Sequence, residues 1–200
     1  MRKAVKHFLV VIGIIYLILG VLAFYNAIRY TETAGILWFS YVAFFLIGLG
    51  ILTRNSYLIS SQLNIILIPY IIWNLDFFYV LLSGNSLWGI TDYFFTPRQT
   101  IAQLISLQHI FTIPISLLAV YFIKLKRKDF WKFSFIQIII FFFLIRIFGS
   151  ARENVNCVFE NCLPFGIPAL PYAVTWFLAY GAMIAITTFF LVKVKAFKPV

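Results

Sequence analysis

Six apolar stretches constrain this chain more than any other feature: Phe8–Ile28, Gly35–Leu52, Tyr57–Leu82, Ile101–Ile123, Phe133–Gly149 and Ile167–Val192. Each is close to the roughly 17–25 residues that cross a hydrocarbon core about 30 Å thick. Water is a poor solvent for such a chain, because only 11% of its residues are charged, against about 25% in an ordinary soluble domain. A soluble fold of this size hides only about 70% of its unfolded surface. Barrel strands would alternate over segments of about ten residues, and Ile138–Phe143 and Ile65–Ile68 do not alternate. The sequence therefore predicts an all-α, polytopic transmembrane helical bundle with six spans. The fifth span has the least sharp boundary, since Arg146 sits in its last turn. No polar tail, linker or charge block marks a second domain, so residues 1–200 are read as one.

Arg2, Lys3 and Lys6 before the first stretch resemble the positive flank of a signal peptide. The apolar run is too long for a cleaved signal and further spans follow, so it reads as an uncleaved first helix. Short loops rich in lysine and arginine stay in the cytoplasm. An inside N-terminus collects Arg2, Lys3, Lys6, Arg54, Lys124, Lys126, Arg127, Lys128, Lys132, Lys193, Lys195 and Lys198 on one side, leaving Arg29, Arg98, Arg146 and Arg152 near the other. Both termini are thus expected in the cytoplasm, with the protein in the cell membrane. The formal charge of +10 then fits anionic lipid headgroups rather than nucleic acid, because it lies in juxtamembrane turns. Trp38, Trp131, Tyr30 and Tyr93 fall near span ends, where aromatic rings favour the headgroup layer, whereas Trp73 and Trp176 lie deeper and are expected between helices.

Gly13 and Gly20 on the first helix, and Gly181 with Ala185 on the sixth, offer notches for close helix packing or for homo-oligomer contact. Pro69 and Pro114 each free a carbonyl one turn earlier and predict kinks, while Pro168 and Pro171 suit the start of the last helix. Ile68-Pro69-Tyr70 with Trp73 echoes Leu170-Pro171-Tyr172 with Trp176. The tryptophan offsets differ and no other spans pair this way, so chance is preferred to an inverted repeat.

Acidic residues are unevenly placed: Glu32, Asp76, Asp92, Glu153 and Glu160 fall on the outer half and only Asp129 inside. Ionisable groups within a span are costly and mark either a pairing partner or a function. Asp76 and Asn74 on the third helix, Gln108 and His109 on the fourth, and Arg146 on the fifth reach similar depths. His109 and Asp76 are the candidate catalytic residues, one transferring a proton and the other orienting it or compensating an arginine. Arg146, Arg152, Gln108 and Asn74 are the candidate substrate-binding residues, the arginines for an anionic group. The competing reading is an Asp76–Arg146 structural ion pair with His109 as a packed neutral donor. Gln137 reads as glue between helices.

Cys157 and Cys162 are the only cysteines and share one outer loop. That compartment permits disulfides, so a short staple is expected, with a redox pair or a free nucleophile as alternatives. Their spacing is not C-x-x-C, which leaves redox catalysis without its usual signal. No metal site is expected, since His109 is the lone outer histidine and zinc needs three or four donors. Nothing identifies a cofactor, and the nucleophile elbow, zinc-protease and phosphate-loop motifs do not occur. The segment Ser83–Thr100 mixes polar residues with large apolar ones and can lie in the interface over a cavity mouth. Three functions remain: an enzyme acting on a lipid or amphiphile at the outer face, a small transporter using Gln137, Asn64 and Gln62 as a path inward, or an accessory subunit with a membrane-protein partner. Membrane lipids and an amphiphilic or anionic small molecule are the expected partners. Gathering of polar groups at one surface favours the enzyme.

Overall fold

The computed structural model describes residues 3–31, 33–97, 100–163 and 170–198. Arg2, Glu32, Arg98 and the expected start of the sixth span, including Pro168, lie outside the described residues. Chain in lipid must satisfy its own backbone polar groups, and helices do so locally. The first helices are α1 (Lys3–Tyr30), α2 (Phe39–Leu52) and α3 (Ser56–Ser83); a short α4 (Asp92–Phe95) follows in the connection. Next come α5 (Thr100–Ser106), α6 (Gln108–Ile123), α7 (Trp131–Phe148) and α8 (Tyr172–Lys193).

Five helical segments are long and apolar enough to cross a membrane: α1, α3, Ile101–Ile123, α7 and α8. The expected second span is the exception. Its start forms a separate 3-10 turn, Thr33–Leu37, and Trp38 adopts φ −55 and ψ 123 before a helix of only 14 residues. At about 1.5 Å per residue α2 reaches roughly 21 Å, short of a core about 30 Å thick. In the fourth stretch α5 runs into α6 through Leu107, which keeps helical dihedrals of φ −61 and ψ −17. Pro69 and Pro114 are both accommodated inside helices.

α3 is the central helix, with unbroken burial from Ile59 to Leu67, and α2, α6, α7 and α8 pack around it. α1 lies antiparallel on α2. A Cβ at Gly20 would come within 3.1 Å of the Phe45 backbone, and one at Gly48 within 2.8 Å of Tyr16 Cβ, so these glycines set the approach of the two helices. Gly13 faces Leu52 and the Gly48 carbonyl. The outward faces are apolar: Ile18 is 55% exposed, Ile147 68% and Phe189 65%. Patches of this kind are intolerable in water and ordinary in lipid. The chain is a multi-span membrane protein.

The lysine-rich segments meet at one end of the bundle. Leu125 N–H donates to the Phe197 carbonyl and Lys124 Nζ to that of Ala196, each at 2.8 Å. Arg127 pairs with Asp129 at 2.6 Å and lies over the Tyr57 ring, 4.7 Å from its centroid. That guanidinium holds the Asp129 carboxyl below the usual carboxylate range. Just inside this end, Gln62 and Gln137 exchange amide hydrogen bonds at 2.9 and 3.3 Å. Asn64 donates to Ser134 Oγ at 3.1 Å and accepts from the Thr188 hydroxyl at 3.2 Å. This buried network ties α3, α7 and α8 together, the role expected of Gln137.

Candidate functional site

His109 lies at the start of α6, within the helical segment Ile101–Ile123. Its Nδ1 lies 2.7 Å from the Ser106 carbonyl, which can only accept, so the neutral ring carries its proton on Nδ1 and leaves the Nε2 lone pair unused. Among the described residues Nε2 has no hydrogen-bond partner. The ring stacks on Trp73, centroids 4.6 Å apart, and tilts against Tyr70 at 4.3 Å. Trp73 is fixed in turn by its Nε1–H donating to the Tyr93 hydroxyl at 3.0 Å, and Phe94 meets it edge-on.

Asn74 and Gln108 adjoin this histidine. Asn74 Nδ2 donates to the carbonyls of Tyr70 at 2.7 Å and His109 at 2.8 Å, which fixes the amide orientation and leaves Oδ1 buried without a partner. Gln108 Oε1 accepts from the Tyr70 hydroxyl at 3.0 Å and the Thr112 hydroxyl at 3.1 Å, while Nε2 is buried and unpartnered. Turning that amide over would only exchange which of its atoms lacks a partner. A buried polar group without a partner costs about 1–3 kcal/mol. Here an unused acceptor, an unused donor and an imidazole lone pair occur on adjoining turns of α3 and α6.

The structure does not bring Asp76 or Arg146 to this cluster. Asp76 is wholly buried, but its carboxylate is used by the connection after α3. Oδ1 accepts from the Leu87 and Trp88 amides at 2.8 Å each, and Oδ2 from the Thr91 amide at 2.9 Å and its hydroxyl at 2.7 Å. Among the described residues the one ion pair is Arg127 with Asp129, so the Asp76–Arg146 pair of the competing reading is not formed. A carboxylate met by three backbone amides needs no arginine. Arg146 is exposed on α7 and lies over the Phe159 ring at 4.8 Å; Arg152 is exposed in the following loop.

That loop brings Cys157 and Cys162 together at disulfide distance, with Cα atoms 5.6 Å apart. Asn154, Asn156 and Cys157 all have positive φ, a conformation asparagine tolerates better than most residues. Asn156 was missed by the sequence reading. Its Oδ1 accepts from Phe39 N–H at 2.9 Å, its Nδ2 donates to the Leu37 carbonyl at 2.8 Å, and its own carbonyl accepts from Trp176 Nε1 at 3.0 Å. It therefore supplies the cap that α2 lacks from its own flanking residues. A local signal for this does not exist, because the partners are 117 residues apart.

Among the described residues no group of three His, Cys, Asp or Glu side chains is placed to hold a metal. No protein family matches the chain, and neither a curated protein nor a solved structure matches it.

Proposed function

We propose that the chain crosses the membrane six times with its lysine-rich end in the cytoplasm, and that the opposite end acts on the polar group of an amphiphile between α3 and α6. α2 is short for a crossing, but a short apolar helix is accommodated when the bilayer thins around it, and α2 joins the far end of α1 to the start of α3. The basic clusters gather at one end, and positive loops are retained inside. The cell membrane is the expected location.

The functional reading rests on one observation: Asn74 and Gln108, each with a buried amide atom that lacks a partner, adjoin His109, Asn74 through the His109 carbonyl and Gln108 as the preceding residue. Asn74 accepts from a ligand hydroxyl or amine, the spare atom of the Gln108 amide meets a second polar atom of the ligand, and His109 takes a proton from the group so held. Trp73 and Tyr70 fix the imidazole plane. Asp76 is assigned a positioning role through the connection it anchors, and Arg146 and Arg152 a separate contact with an anionic headgroup. Comparing membrane lipids from cells carrying wild type, His109→Ala or no protein tests this. A lipid species gained or lost only with wild type is expected. Identical lipid profiles for wild type and a stably folded His109→Ala protein would refute the catalytic assignment.

An accessory role is the second reading, favoured by the closed network of Gln62, Gln137, Asn64 and Ser134. The same closure counts against transport, since a polar path to the basic end would have to break it.

A further inference from the structure

Between α7 and α8, at the basic end, lies a groove of about 520 Å³. Its walls are Trp131 and Phe135 on α7 and Gly181, Ala185 and Phe189 on α8, with Lys128 and Lys193 on its border. A side chain built at Gly181 would meet nothing within 4 Å. The notch formed by the two small residues is therefore not used by any helix of this chain among the described residues. From Gly181 to Lys193 the groove follows α8 for about 18 Å at about 1.5 Å per residue, slightly more than one leaflet of a core about 30 Å thick.

A second, smaller concavity of about 180 Å³ bordered by Lys126, Lys128 and Lys198 adjoins the groove, and the two share Lys128 and Val192. Lys193 Nζ lies 5.4 Å over the Phe189 ring, next to the groove. These ammonium groups have no carboxylate within ion-pair distance among the described residues, because Asp129 is taken by Arg127. An apolar groove one leaflet deep thus borders a cup of lysines without ion-pair partners among the described residues.

We propose that this combined surface binds one anionic phospholipid, its acyl chain against Gly181 and Ala185 and its phosphate on Lys126, Lys128 and Lys198. A second copy of the chain fits poorly, since a two-fold contact across this face would bring the lysine cups together with like charge. The site is remote from His109 and independent of any chemistry there.

The test uses the full chain, purified in detergent, stripped of lipid and offered phosphatidylglycerol or phosphatidylcholine of the same acyl composition, with retained lipid counted by native mass spectrometry. Wild type is expected to retain phosphatidylglycerol at least about tenfold better, in line with the pull of juxtamembrane lysines on anionic headgroups. The combined Lys126→Gln, Lys128→Gln and Lys198→Gln variant should lose that preference. Gly181→Leu, which has room for its side chain and should keep the wild-type unfolding temperature, should retain less of both lipids. Inorganic phosphate at the same concentration should not displace the lipid, which separates a lipid site from a phosphate site. Equal retention of both lipids by wild type, an unchanged preference in the triple lysine variant, or displacement by phosphate overturns the proposal. So does full retention by Gly181→Leu. Crosslinking of Gly181→Cys into a disulfide dimer within vesicles would assign the groove to a second copy instead.

Discussion

Asp76→Asn separates the anchoring role of this carboxylate from any role of its charge in chemistry. The substituted amide keeps one acceptor oxygen for the Leu87 and Trp88 amides, and the Thr91 hydroxyl can turn to accept from the new NH2. The Thr91 amide, 2.9 Å from Oδ2 in the native protein, then faces another donor. One buried N–H left unsatisfied costs about 1–3 kcal/mol, and two hydrogen bonds that lose a charged acceptor weaken by about 1 kcal/mol each. The sum, about 3–5 kcal/mol, corresponds to roughly 10²–10⁴ in the local opening equilibrium. Hydrogen exchange of the protein in nanodiscs should therefore accelerate by about that factor at Leu87, Trp88 and Thr91, with α8 unchanged, because exchange there reports local opening. Asp76→Ala removes the acceptor for all four donors and should accelerate it further. Unaltered exchange at these three amides in Asp76→Asn would refute the anchoring argument, and Asn exceeding Ala would refute its hydrogen-bond accounting.

Gly48→Ile should force α1 and α2 apart and destabilise the protein by about 1–3 kcal/mol, the usual cost of overpacking; an unchanged unfolding temperature in detergent would show that the helices can separate freely. Asn156→Ala should cost about 2–4 kcal/mol, from the Phe39 amide and Leu37 carbonyl it leaves without partners, and should raise protease cleavage near residue 38. With Cys157 and Cys162 bridged, alkylation of the unfolded chain should label neither without reduction and both after it; removing the bridge should cost about 2 kcal/mol by loop entropy. Impermeant reagent applied to intact cells should modify a cysteine introduced at Ser150 and not one at Lys126, and the opposite pattern would invert the proposed topology.

The spans were legible because a bilayer imposes both length and continuous apolarity, which the chain writes out locally. α2 was read too long: Gly35 and Ile36 are apolar enough to extend it, but hydropathy carries no trace of the turn at Trp38 that separates them from the helix. Gln137 was recognised as glue, yet Gln62 as its partner depends on helix rotations that no periodicity fixes when every face is apolar. Of the candidate site, Asn74, Gln108 and His109 do adjoin. Asp76 and Arg146 shared only an estimated depth with them, and depth leaves the azimuth around the bundle open. A usable clue to Asp76 was present: a carboxylate in the last two turns of a helix opposes the macrodipole, and Gly84, Gly89 and Thr91 follow as turn residues able to bring backbone amides back to it.

The cap that Asn156 provides has a bearing on how the protein is made. Ribosomes deliver α2 to the membrane long before residue 156 is synthesised, so the first hairpin is laid down with its Phe39 amide and Leu37 carbonyl still open. They close only when a loop 117 residues later reaches the same side. Oxidation of Cys157, the next residue in the chain, acts on the segment that must carry that amide into place. The contacts that complete the first two helices are in this sense the last to become available.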